Sequence, residues 1–423
     1  MKKVLLVDFA YVGLHGGAHS ESYLMRIASI LSSNGYYVYL CSGNNKRLEE
    51  NIELSGLQNC EVINLNLRLL DKLIRRSLIA VDSWLSYFKK LHYFQFSSLI
   101  NVMSVQRLLR DLGENIPVFF AHADSMLPAV PTGISRFFLP KRWTGLYVLP
   151  SYQSKLQFGF RHSRLSYNRE KNLALSSCQS ILVLHPIYQR FFHQRFQDLS
   201  SLYLPEMIDT PVSESDNDAI HSEVVDFNLL NQIKKQAQGR TIISILGNIT
   251  PRKNLSLFLA AITQLEPSKY FFLVLGRLRA KDEADYQQEL DKLEAYKTEL
   301  KENVFIDINY YIRSEQEFYA LIYLSDILYL HYDKHPFSSN VLAKAMTCRK
   351  PVIVNKGYLM EKTVNQYHWK VAVEGEPDKI TQAIEQLVDS GYRVEEHSYQ
   401  AFMADHSPEQ FESAILRACA TLY

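Results

Sequence analysis

Two adjacent cations, Arg252 and Lys253, stand between an apolar strand and an apolar helix. The strand is predicted at Thr241–Leu246, and the loop 247–254 leads from it into the helix. Because the first N–H groups of a helix have no partner within it, a diphosphate at this point would meet both cationic side chains and free hydrogen-bond donors. The pattern indicates a phosphate-binding loop, with a solvated basic turn as the alternative interpretation.

A second loop, rich in glycine, follows the first predicted strand. Residues 13–18 read Gly-Leu-His-Gly-Gly-Ala and lie between a strand at 4–9 and a helix at 20–31. Gly16 and Gly17 have no Cβ atom, so the backbone there can approach a ligand closely. The spacing differs from the dinucleotide-binding fingerprint, and a plain tight turn is the alternative interpretation.

The elements around these loops predict a doubly wound α/β fold. The strand at 4–9, the helix at 20–31 and a strand at 37–41 form a β-loop-α-β unit, which is typical of the start of a parallel sheet. Four more apolar runs can complete this sheet, at 61–65, 117–121, 146–149 and 181–184. A second series of strands is predicted at Thr241–Leu246, Tyr270–Leu275, 304–308, Ile327–Leu330 and 351–354.

The length of 423 residues and a break in the apolar periodicity predict two domains. A single core rarely organises more than about 250–300 residues. We predict an N-terminal domain at 1–205, a linker at 206–225, a C-terminal domain at 226–405 and a C-terminal helix at 406–423. Two such domains would place a cleft between the carboxyl ends of two sheets, where open α/β folds bind ligands.

Composition and cysteine usage exclude several classes of protein. With 47% hydrophobic and 22% charged residues, the chain is an ordinary globular protein. Asp8 interrupts the first apolar run, which favours a buried strand over a signal peptide, and no apolar stretch is long enough to span a membrane. The five cysteines are odd in number and unclustered, so we predict reduced thiols in a cytoplasmic protein, without a disulfide framework or a zinc site.

The net charge of +1 hides an asymmetry between the two halves of the chain. Residues 1–205 carry 23 Lys and Arg against 13 Asp and Glu, a net +10, whereas residues 206–423 carry 23 against 32, a net −9. The asymmetry predicts an anionic partner for the N-terminal half, such as a phospholipid surface or a lipid-linked phosphate acceptor. Charges scattered over solvated faces are the alternative, and a nucleic acid is least favoured because the aromatic residues form no interleaved binding motif.

Segment 68–100 concentrates this positive charge among apolar residues. Its six basic residues outnumber two acidic ones and are Arg68, Lys72, Arg75, Arg76, Lys89 and Lys90. Aliphatic and aromatic side chains lie between them, the mixture expected of an amphipathic helix in a membrane interface. The segment therefore predicts docking on an anionic membrane, and packing of its apolar residues onto the domain is the alternative.

Several motifs, in order along the chain, resemble the family 4 retaining glycosyltransferases of the GT-B class. Gly16-Gly17-Ala18 is similar to that family's first-loop element, and 202–209 to the segment before its linker. The loop 247–254 is similar to its donor-phosphate loop, 303–330 follows the next block, and 340–353 resembles the nucleotide-binding helix and the strand after it. The resemblance covers nearly the whole chain and implies two Rossmann-like domains with parallel sheets facing an interdomain cleft.

The resemblance also implies roles for individual residues. Arg252 and Lys253 would bind the diphosphate of a nucleotide-sugar donor, and Gly16, Gly17 and Asn340 would line the donor site. His122 matches the place where family members often carry a histidine that faces the donor sugar. Retaining transfer of this class needs no metal, and no Asp-x-Asp triplet lies where it could hold one.

Two departures from the family pattern affect the nucleotide site. The family carries two glutamates eight positions apart, and the corresponding residues here are Pro336 and Lys344. Because an ammonium only donates hydrogen bonds, Lys344 cannot replace a ribose-binding glutamate in kind. Three explanations stay open: a compensating donor-site group such as Asp333 or His335, a donor whose nucleotide part favours a cation at Lys344, and loss of catalysis.

We therefore predict a metal-independent retaining glycosyltransferase that moves a sugar from a nucleotide diphosphate donor to a glycan or lipid-linked acceptor. It is expected to use no cofactor besides the donor and to be cytoplasmic, peripheral at the inner face of the membrane. The alternative is a non-catalytic GT-B subunit that binds or stabilises a partner glycosyltransferase, which the missing glutamates favour. A GT-B epimerase or phosphorylase is a weaker third interpretation.

Overall fold

The computed structural model of the chain divides into two compact units. Unit 1 comprises Met1–Glu206 together with Pro408–Tyr423, and unit 2 comprises Met207–Ser407. The structure describes residues 1–8, 18–42, 45–64, 69–86, 99–113, 115–127, 135–148, 168–206, 208, 225–279, 283–300, 303–312, 314–369 and 371–423.

Unit 1 is built on a parallel sheet of seven described strands. They are β1 (Lys2–Asp8), β2 (Tyr36–Ser42), β3 (Cys60–Val62), β4 (Val118–Phe120), β5 (Trp143–Tyr147), β6 (Cys178–Val183) and β7 (Ser200–Tyr203). Their spatial order is β3-β2-β1-β4-β5-β6-β7. The direction of the order therefore reverses between β1 and β4, a switch point of the kind at which doubly wound sheets bind ligands.

Seven described helices lie between the strands of unit 1 along the chain. They are α1 (Ala18–Ser33), α2 (Asn45–Ser55), α3 (Leu69–Ser86), α4 (Leu99–Asp111), α5 (Ser135–Phe138), α6 (Asn168–Leu175) and α7 (Pro186–Arg195). Helix α1 buries Leu24, Ile27 and Leu31, which recur at helical spacing. Helix α3 differs, because none of its described side chains is buried.

Unit 2 contains a second parallel sheet, of six described strands. They are β8 (Thr241–Leu246), β9 (Tyr270–Leu275), β10 (Val304–Asp307), β11 (Ile327–Leu330), β12 (Val352–Asn355) and β13 (Ala372–Val373), in the order β10-β9-β8-β11-β12-β13. This order again reverses, between β8 and β11. The loops at the carboxyl ends of these two strands therefore flank the switch point of unit 2.

Helices pack on both faces of the second sheet. They are α8 (Phe227–Ala237), α9 (Leu255–Ile262), α10 (Glu283–Leu300), α11 (Glu315–Leu324), α12 (Asn340–Thr347), α13 (Leu359–Gln366), α14 (Pro377–Asp389) and α15 (Glu396–Asp405). One core cluster joins α8, α11 and α12 through residues such as Ile233, Ile322 and Met346, and the other joins α9 and α14 through Phe258 and Ile384.

The last helix, α16 (Pro408–Ala420), returns to unit 1. Phe411 of α16 packs against Tyr23 of α1, with ring centroids 6.0 Å apart. The side chain of Thr421, just after the helix, lies 3.0 Å from the Ser180 hydroxyl of β6. The end of the chain is therefore part of the first core rather than of the second.

The predicted class of fold, with two doubly wound parallel sheets, is confirmed, and the main error concerns β5. We predicted this strand at 146–149, but it spans Trp143–Tyr147. Polar Thr144 and small Gly145 hide the strand from an apolar pattern, although both have structural reasons to be there. Thr144 Oγ1 donates to the Ser180 carbonyl, and a Cβ on residue 145 would lie 2.6 Å from the Phe120 carbonyl oxygen.

Two expectations about the whole chain can be compared with the described residues. All five cysteines have free thiols, and Cys41, Cys348 and Cys419 are buried. Among the helices that the structure describes, none combines the length and the apolar character needed to cross a membrane.

Candidate functional site

The loop after β8 turns sharply at Gly247. This residue has φ +81°, a conformation that side chains with a Cβ rarely adopt. A Cβ on residue 247 would also lie 3.2 Å from the ring of Phe318 on α11 and 3.6 Å from Lys253 Nζ. The glycine thus brings the loop, the first part of α11 and the Lys253 ammonium close together at the carboxyl edge of the sheet.

Lys253 is buried, with 4% of its surface exposed. Its Nζ donates a hydrogen bond to the carbonyl of Leu246, the last residue of β8. Burial, and secondarily the charge of Arg252, lower the pKa of Lys253 to about 7. An anion bound beside this ammonium would offset both effects and favour its protonated form.

Arg252 is exposed and connects the β8 loop with the loop after β11. Its backbone carbonyl accepts a hydrogen bond of 2.7 Å from the amide of Asp333. Its guanidinium carbon lies 5.7 Å from the ring centroid of Tyr332, and Lys253 Nζ lies 5.9 Å from the same ring. The two predicted phosphate-binding cations and Asp333 are therefore held together at one edge of unit 2.

His335 lies in the same loop as Asp333 and is largely buried. Burial, and then the charge of Arg252, lower the pKa of His335 to about 4, so its imidazole is neutral at neutral pH. Its Nε2 lies 3.3 Å from the Ser338 carbonyl, which can only accept, so Nε2 carries the proton. Nδ1 is then an acceptor. A neutral imidazole with one acceptor is a weaker replacement for a missing glutamate than the carboxylate of Asp333.

Helix α12 begins at the end of this loop with a capped N-terminus. The Ser339 hydroxyl accepts a hydrogen bond from the Leu342 amide. Two buried oxygens near the loops, Asn340 Oδ1 and Thr250 Oγ1, have no hydrogen-bond partner among the described residues. Because buried polar atoms normally have hydrogen-bond partners, these two oxygens indicate that a ligand would supply the missing partners.

Lys344, in the second turn of α12, is almost fully buried and faces α11. Its Nζ lies 2.5 Å from Glu315 Oε2 and 4.9 Å from the ring centroid of Tyr319. The predicted donor-site cation is therefore one half of an ion pair. Pro336, at the other departure from the family pattern, is buried and has no carboxylate to offer.

His122 lies in unit 1, just after β4. Its Nδ1 is 3.1 Å from Oδ2 of Asp8, which ends β1. Burial disfavours the charged imidazolium, but the hydrogen bond and charge of Asp8 outweigh it, and the pKa of His122 is raised. The ring of Tyr23 stands edge-on to His122 at 6.3 Å, and the Tyr23 hydroxyl donates to Glu206 at 3.1 Å. His122 thus belongs to a polar group at the switch point of the first sheet.

The predicted site residues fall into three sets. In unit 2, Arg252, Lys253, Asp333 and Asn340 lie around the loops after β8 and β11, whereas Lys344 lies in the second turn of α12 and pairs with Glu315. Unit 1 holds His122. Gly16 and Gly17 lie outside the described residues. No three His, Cys, Asp or Glu side chains are grouped so as to hold a metal ion in the part of the chain that the structure describes.

Three residues that contact these groups were not predicted as site residues. In the sequence Asp8 marks a break in an apolar run, and its place at the end of a buried strand is the signal that points to a site. No sequence signal singles out Glu315 or Tyr23. No sequence pattern tells which side chain of one helix faces Lys344 on another.

Chemically, the arrangement in unit 2 can bind an anion. One exposed guanidinium, one buried ammonium and the N-terminus of α12 lie at a sheet edge where α/β folds bind nucleotides.

Residues 226–402 match the sequence model of a family described as Glycosyl transferases group 1. The match lies within unit 2 and covers most of it. A comparison of the chain with curated protein sequences gives no match.

Solved structures similar to the chain extend over both units. Sucrose-phosphate synthase from Thermosynechococcus elongatus is similar at a TM-score of 0.67 and 12% identity, covering 100% of this chain and 99% of its own. Anabaena HepE in complex with UDP-glucose gives 0.67 and 14%, covering 100% of both. WaaG, a glycosyltransferase involved in lipopolysaccharide biosynthesis, gives 0.61 and 12%, covering 100% and 99%. At such low identity the likeness establishes the fold, which is GT-B.

Proposed function

We propose that the chain is a retaining, metal-independent glycosyltransferase, which moves a sugar from a nucleoside diphosphate to a hydroxyl of a glycan or lipid-linked acceptor. The single observation that supports this most is the pair of cations, Arg252 and Lys253, at the carboxyl edge of the sheet in unit 2. An enzyme that only bound a neutral ligand would have no use for a buried ammonium there, because burying a charge without an anionic partner is costly.

In the proposed reaction, the bond between the anomeric carbon and the diphosphate oxygen breaks, and a bond to the acceptor oxygen forms on the same face. The acceptor proton passes to the departing diphosphate. Arg252 and Lys253 stabilise the negative charge that develops on this leaving group, and amide groups at the N-terminus of α12 add hydrogen bonds. These groups do the work for which other transferases use a metal ion.

His122 is our candidate for the residue that orients the donor sugar. Against the effect of burial, the hydrogen bond and the charge of Asp8 raise the pKa of its imidazole, which favours the protonated ring. The contact between Nδ1 and Asp8 fixes the orientation in which the ring would meet the donor sugar. Gly16 and Gly17, as the sequence predicts, would let the backbone approach the donor or acceptor.

A binding experiment tests the diphosphate site. The nucleotide sugars of uridine, guanosine and adenosine are screened by thermal shift, starting with UDP-glucose, and the product formed from each hit is identified. We expect the double variant Arg252→Ala, Lys253→Met to lose about a hundredfold or more in affinity, since each charge-assisted contact contributes roughly 1.5–3 kcal/mol. Methionine preserves the buried stem of Lys253.

The matched control removes two adjacent exposed cations elsewhere in unit 2, Lys234→Ala with Lys235→Ala at the end of α8. We expect this control to bind the donor as the wild type does. Donor affinity that is equal in the two double variants would refute the assignment of the diphosphate site.

The rival function, a non-catalytic GT-B subunit, is favoured by one observation, the absence of a carboxylate at Pro336 and Lys344. It predicts that the isolated chain turns over no donor and that Lys344→Glu creates no activity. Transfer or slow donor hydrolysis by the isolated wild type, lost in the Arg252 and Lys253 double variant, would exclude this function.

We also propose that unit 1 docks on an anionic membrane through α3, at the cytoplasmic face. The large apolar side chains Leu73, Ile74, Val81 and Trp84 are between 40% and 61% exposed. At 3.6 residues per turn these four lie within an arc of about 100° on the helix. Ile79 is exposed as well, outside this arc. An exposed apolar stripe of this size is unusual on a protein that meets only water.

Charge favours a membrane as the occupant of this stripe. Arg76 is exposed and lies on the flank of the stripe, and segment 68–100 carries a net charge of +4. The side chains of Lys72 and Arg75 and all of residues 87–98, with Lys89 and Lys90, are outside the described part. Each cation near an anionic leaflet contributes about 1 kcal/mol, so the segment could hold the protein reversibly beside a lipid-linked acceptor.

Liposome co-sedimentation tests the docking. Binding should require acidic lipid, weaken with added salt and fall when Arg75, Arg76, Lys89 and Lys90 are changed to Gln. Trp84→Ala should also weaken it, whereas the control Leu54→Ala, at an exposed leucine of α2, should not. Equal recovery on neutral and acidic vesicles, or none on either, would contradict the proposal.

A further inference from the structure

The ion pair between Lys344 and Glu315 leaves a carboxylate with unused hydrogen-bonding capacity. Glu315 is the first residue of α11, and 27% of its side chain is exposed, whereas that of Lys344 is 2% exposed. Although Nζ and Oε2 are 2.5 Å apart, neither atom makes a hydrogen bond with suitable angles to any group in the described part of the chain. The lysine therefore holds the buried Oε2 of the glutamate in place, and Oε1 is the oxygen that other donors would reach.

The position of α11 places this carboxylate beside the phosphate-binding loop. Phe318 lies one turn after Glu315 on the helix. Its ring packs against Gly247, since a Cβ on residue 247 would lie 3.2 Å from that ring. Gly247 begins the loop that carries Arg252 and Lys253. Glu315 is thus one helical turn, a rise of about 5.4 Å, before a residue that packs on this loop.

Three contacts fix the first turn of α11, so that Glu315 starts from a rigid support. The Ser314 hydroxyl accepts from the Glu317 amide at 3.0 Å, as an N-cap does. The Tyr310 hydroxyl donates to Glu317 at 2.5 Å, and the Lys344 ammonium lies over the ring of Tyr319. Side chains supported in this way lose little entropy when a ligand binds.

We propose that Glu315, positioned by Lys344, binds the ribose 2′- and 3′-hydroxyls of the nucleoside diphosphate. This inference rests on the proposed function, because it takes the diphosphate to lie on Arg252 and Lys253. The next part of such a ligand is a diol, which offers two donors, and a carboxylate accepts from both of them whereas an ammonium accepts from neither. Lys344 is then a positioning residue, and its charge offsets that of Glu315.

Ribose recognition can be separated from phosphate binding with deoxy analogues. UDP, GDP and ADP are titrated calorimetrically into the wild-type protein, and the tightest is compared with its 2′,3′-dideoxy form and with inorganic pyrophosphate. We expect Glu315→Gln to weaken binding of the nucleotide about tenfold to a hundredfold. Binding of the dideoxy form and of pyrophosphate should stay within about twofold of wild type.

Three further variants sharpen the result. Glu385→Gln, at an exposed glutamate of α14, is the matched control and should change nothing. Lys344→Met should weaken nucleotide binding because it frees the carboxylate from its position. The exchanged pair Glu315→Lys with Lys344→Glu keeps the charges balanced and a carboxylate at the site, and should bind the nucleotide better than Glu315→Gln does.

The possible failures are distinguishable. Equal losses for the nucleotide and its dideoxy form in Glu315→Gln would overturn the ribose assignment and leave the phosphate site standing. No loss for either would overturn it in the same way. Absence of any nucleotide or pyrophosphate binding by the wild type would overturn the proposed function, and this inference with it.

Discussion

The two units differ in the buried charges of their described residues, which are negative in unit 1 and mostly positive in unit 2. In unit 1 the buried charged side chains that the structure describes are all carboxylates, those of Asp8, Glu170 and Glu206. In the described part of unit 2 they are two lysines, Lys253 and Lys344, and one glutamate, Glu317. Each carboxylate of unit 1 accepts a hydrogen bond from a protein group, whereas the lysines of unit 2 have less complete hydrogen bonding.

This contrast runs against the net charges of the two halves. Residues 1–205, with a net +10, include the buried carboxylates Asp8 and Glu170, whereas residues 206–423, with a net −9, include the two buried lysines. Most of the side chains that contribute to net charge are exposed, solvated and screened, whereas a site depends on the few charges that are buried. We infer that the positive charge of the first half lies on its surface, as at Arg76 of α3, and not at its sheet edge.

The comparison predicts a large difference between two buried tyrosines. Tyr147 ends β5 and donates a hydrogen bond of 2.6 Å to Glu170, whereas the hydroxyl of Tyr329 in β11 is buried without a partner among the described residues. Tyr147→Phe should lower the free energy of unfolding by roughly 1.5–3 kcal/mol, because a buried carboxylate loses a donor. Tyr329→Phe should leave the free energy of unfolding unchanged or raise it. Urea denaturation measures the free energy of unfolding of both variants, and equal losses would contradict the difference in hydrogen bonding between the two units.

The next effect concerns the pH dependence of donor binding in unit 2. Lys253 must be protonated to bind a diphosphate, and its pKa in the unliganded protein is lowered to about 7. Affinity for UDP-glucose, whose phosphates do not titrate in this range, should therefore fall by roughly twenty- to thirtyfold from pH 6.5 to 8.5. Calorimetric titrations at several pH values measure the fall.

Two variants identify the group responsible for that fall. Lys253→Met should bind weakly with no pH dependence, and Arg252→Ala should bind weakly with the fall moved to higher pH, because the arginine helps to lower the pKa of Lys253. A profile that Lys253→Met leaves unchanged would assign the dependence to another group.

The smallest expected effect lies in unit 1. Since the pKa of His122 is raised above its usual value, the stabilisation from its contact with Asp8 is present below about pH 6.5 and is lost as pH rises through the pKa in the folded protein. Asp8→Asn should therefore cost about 1 kcal/mol at pH 5.5 and less at pH 9. Urea denaturation at both pH values, with an NMR titration of His122, tests this. A cost that does not change with pH would mean that the pair is not charged.

Much of this molecule follows from local sequence. Largely apolar runs of four to six residues between loop signals were enough to predict β8, β9 and β11, because strands buried on both faces are mostly hydrophobic. The loop of Gly247, Arg252 and Lys253 was predicted as a phosphate site from its place between a strand and a helix, and it does lie at the carboxyl edge. The short strands β7 and β13 were not among the predicted strands, since β7 begins with two serines and β13 has only two residues.

The sequence by itself therefore determined the two parallel sheets and the position of the cationic loop, because both depend on residues close together in the chain. Tertiary structure alone decided that Asp8 meets His122, that Glu315 meets Lys344, and that α16 completes the core of unit 1. A buried charge needs a partner, but which one it finds depends on how distant helices and strands pack, and no local pattern records that. For the same reason, the sequence shows only that Lys344 stands where the family pattern has a glutamate, whereas the structure shows that Lys344 pairs with Glu315.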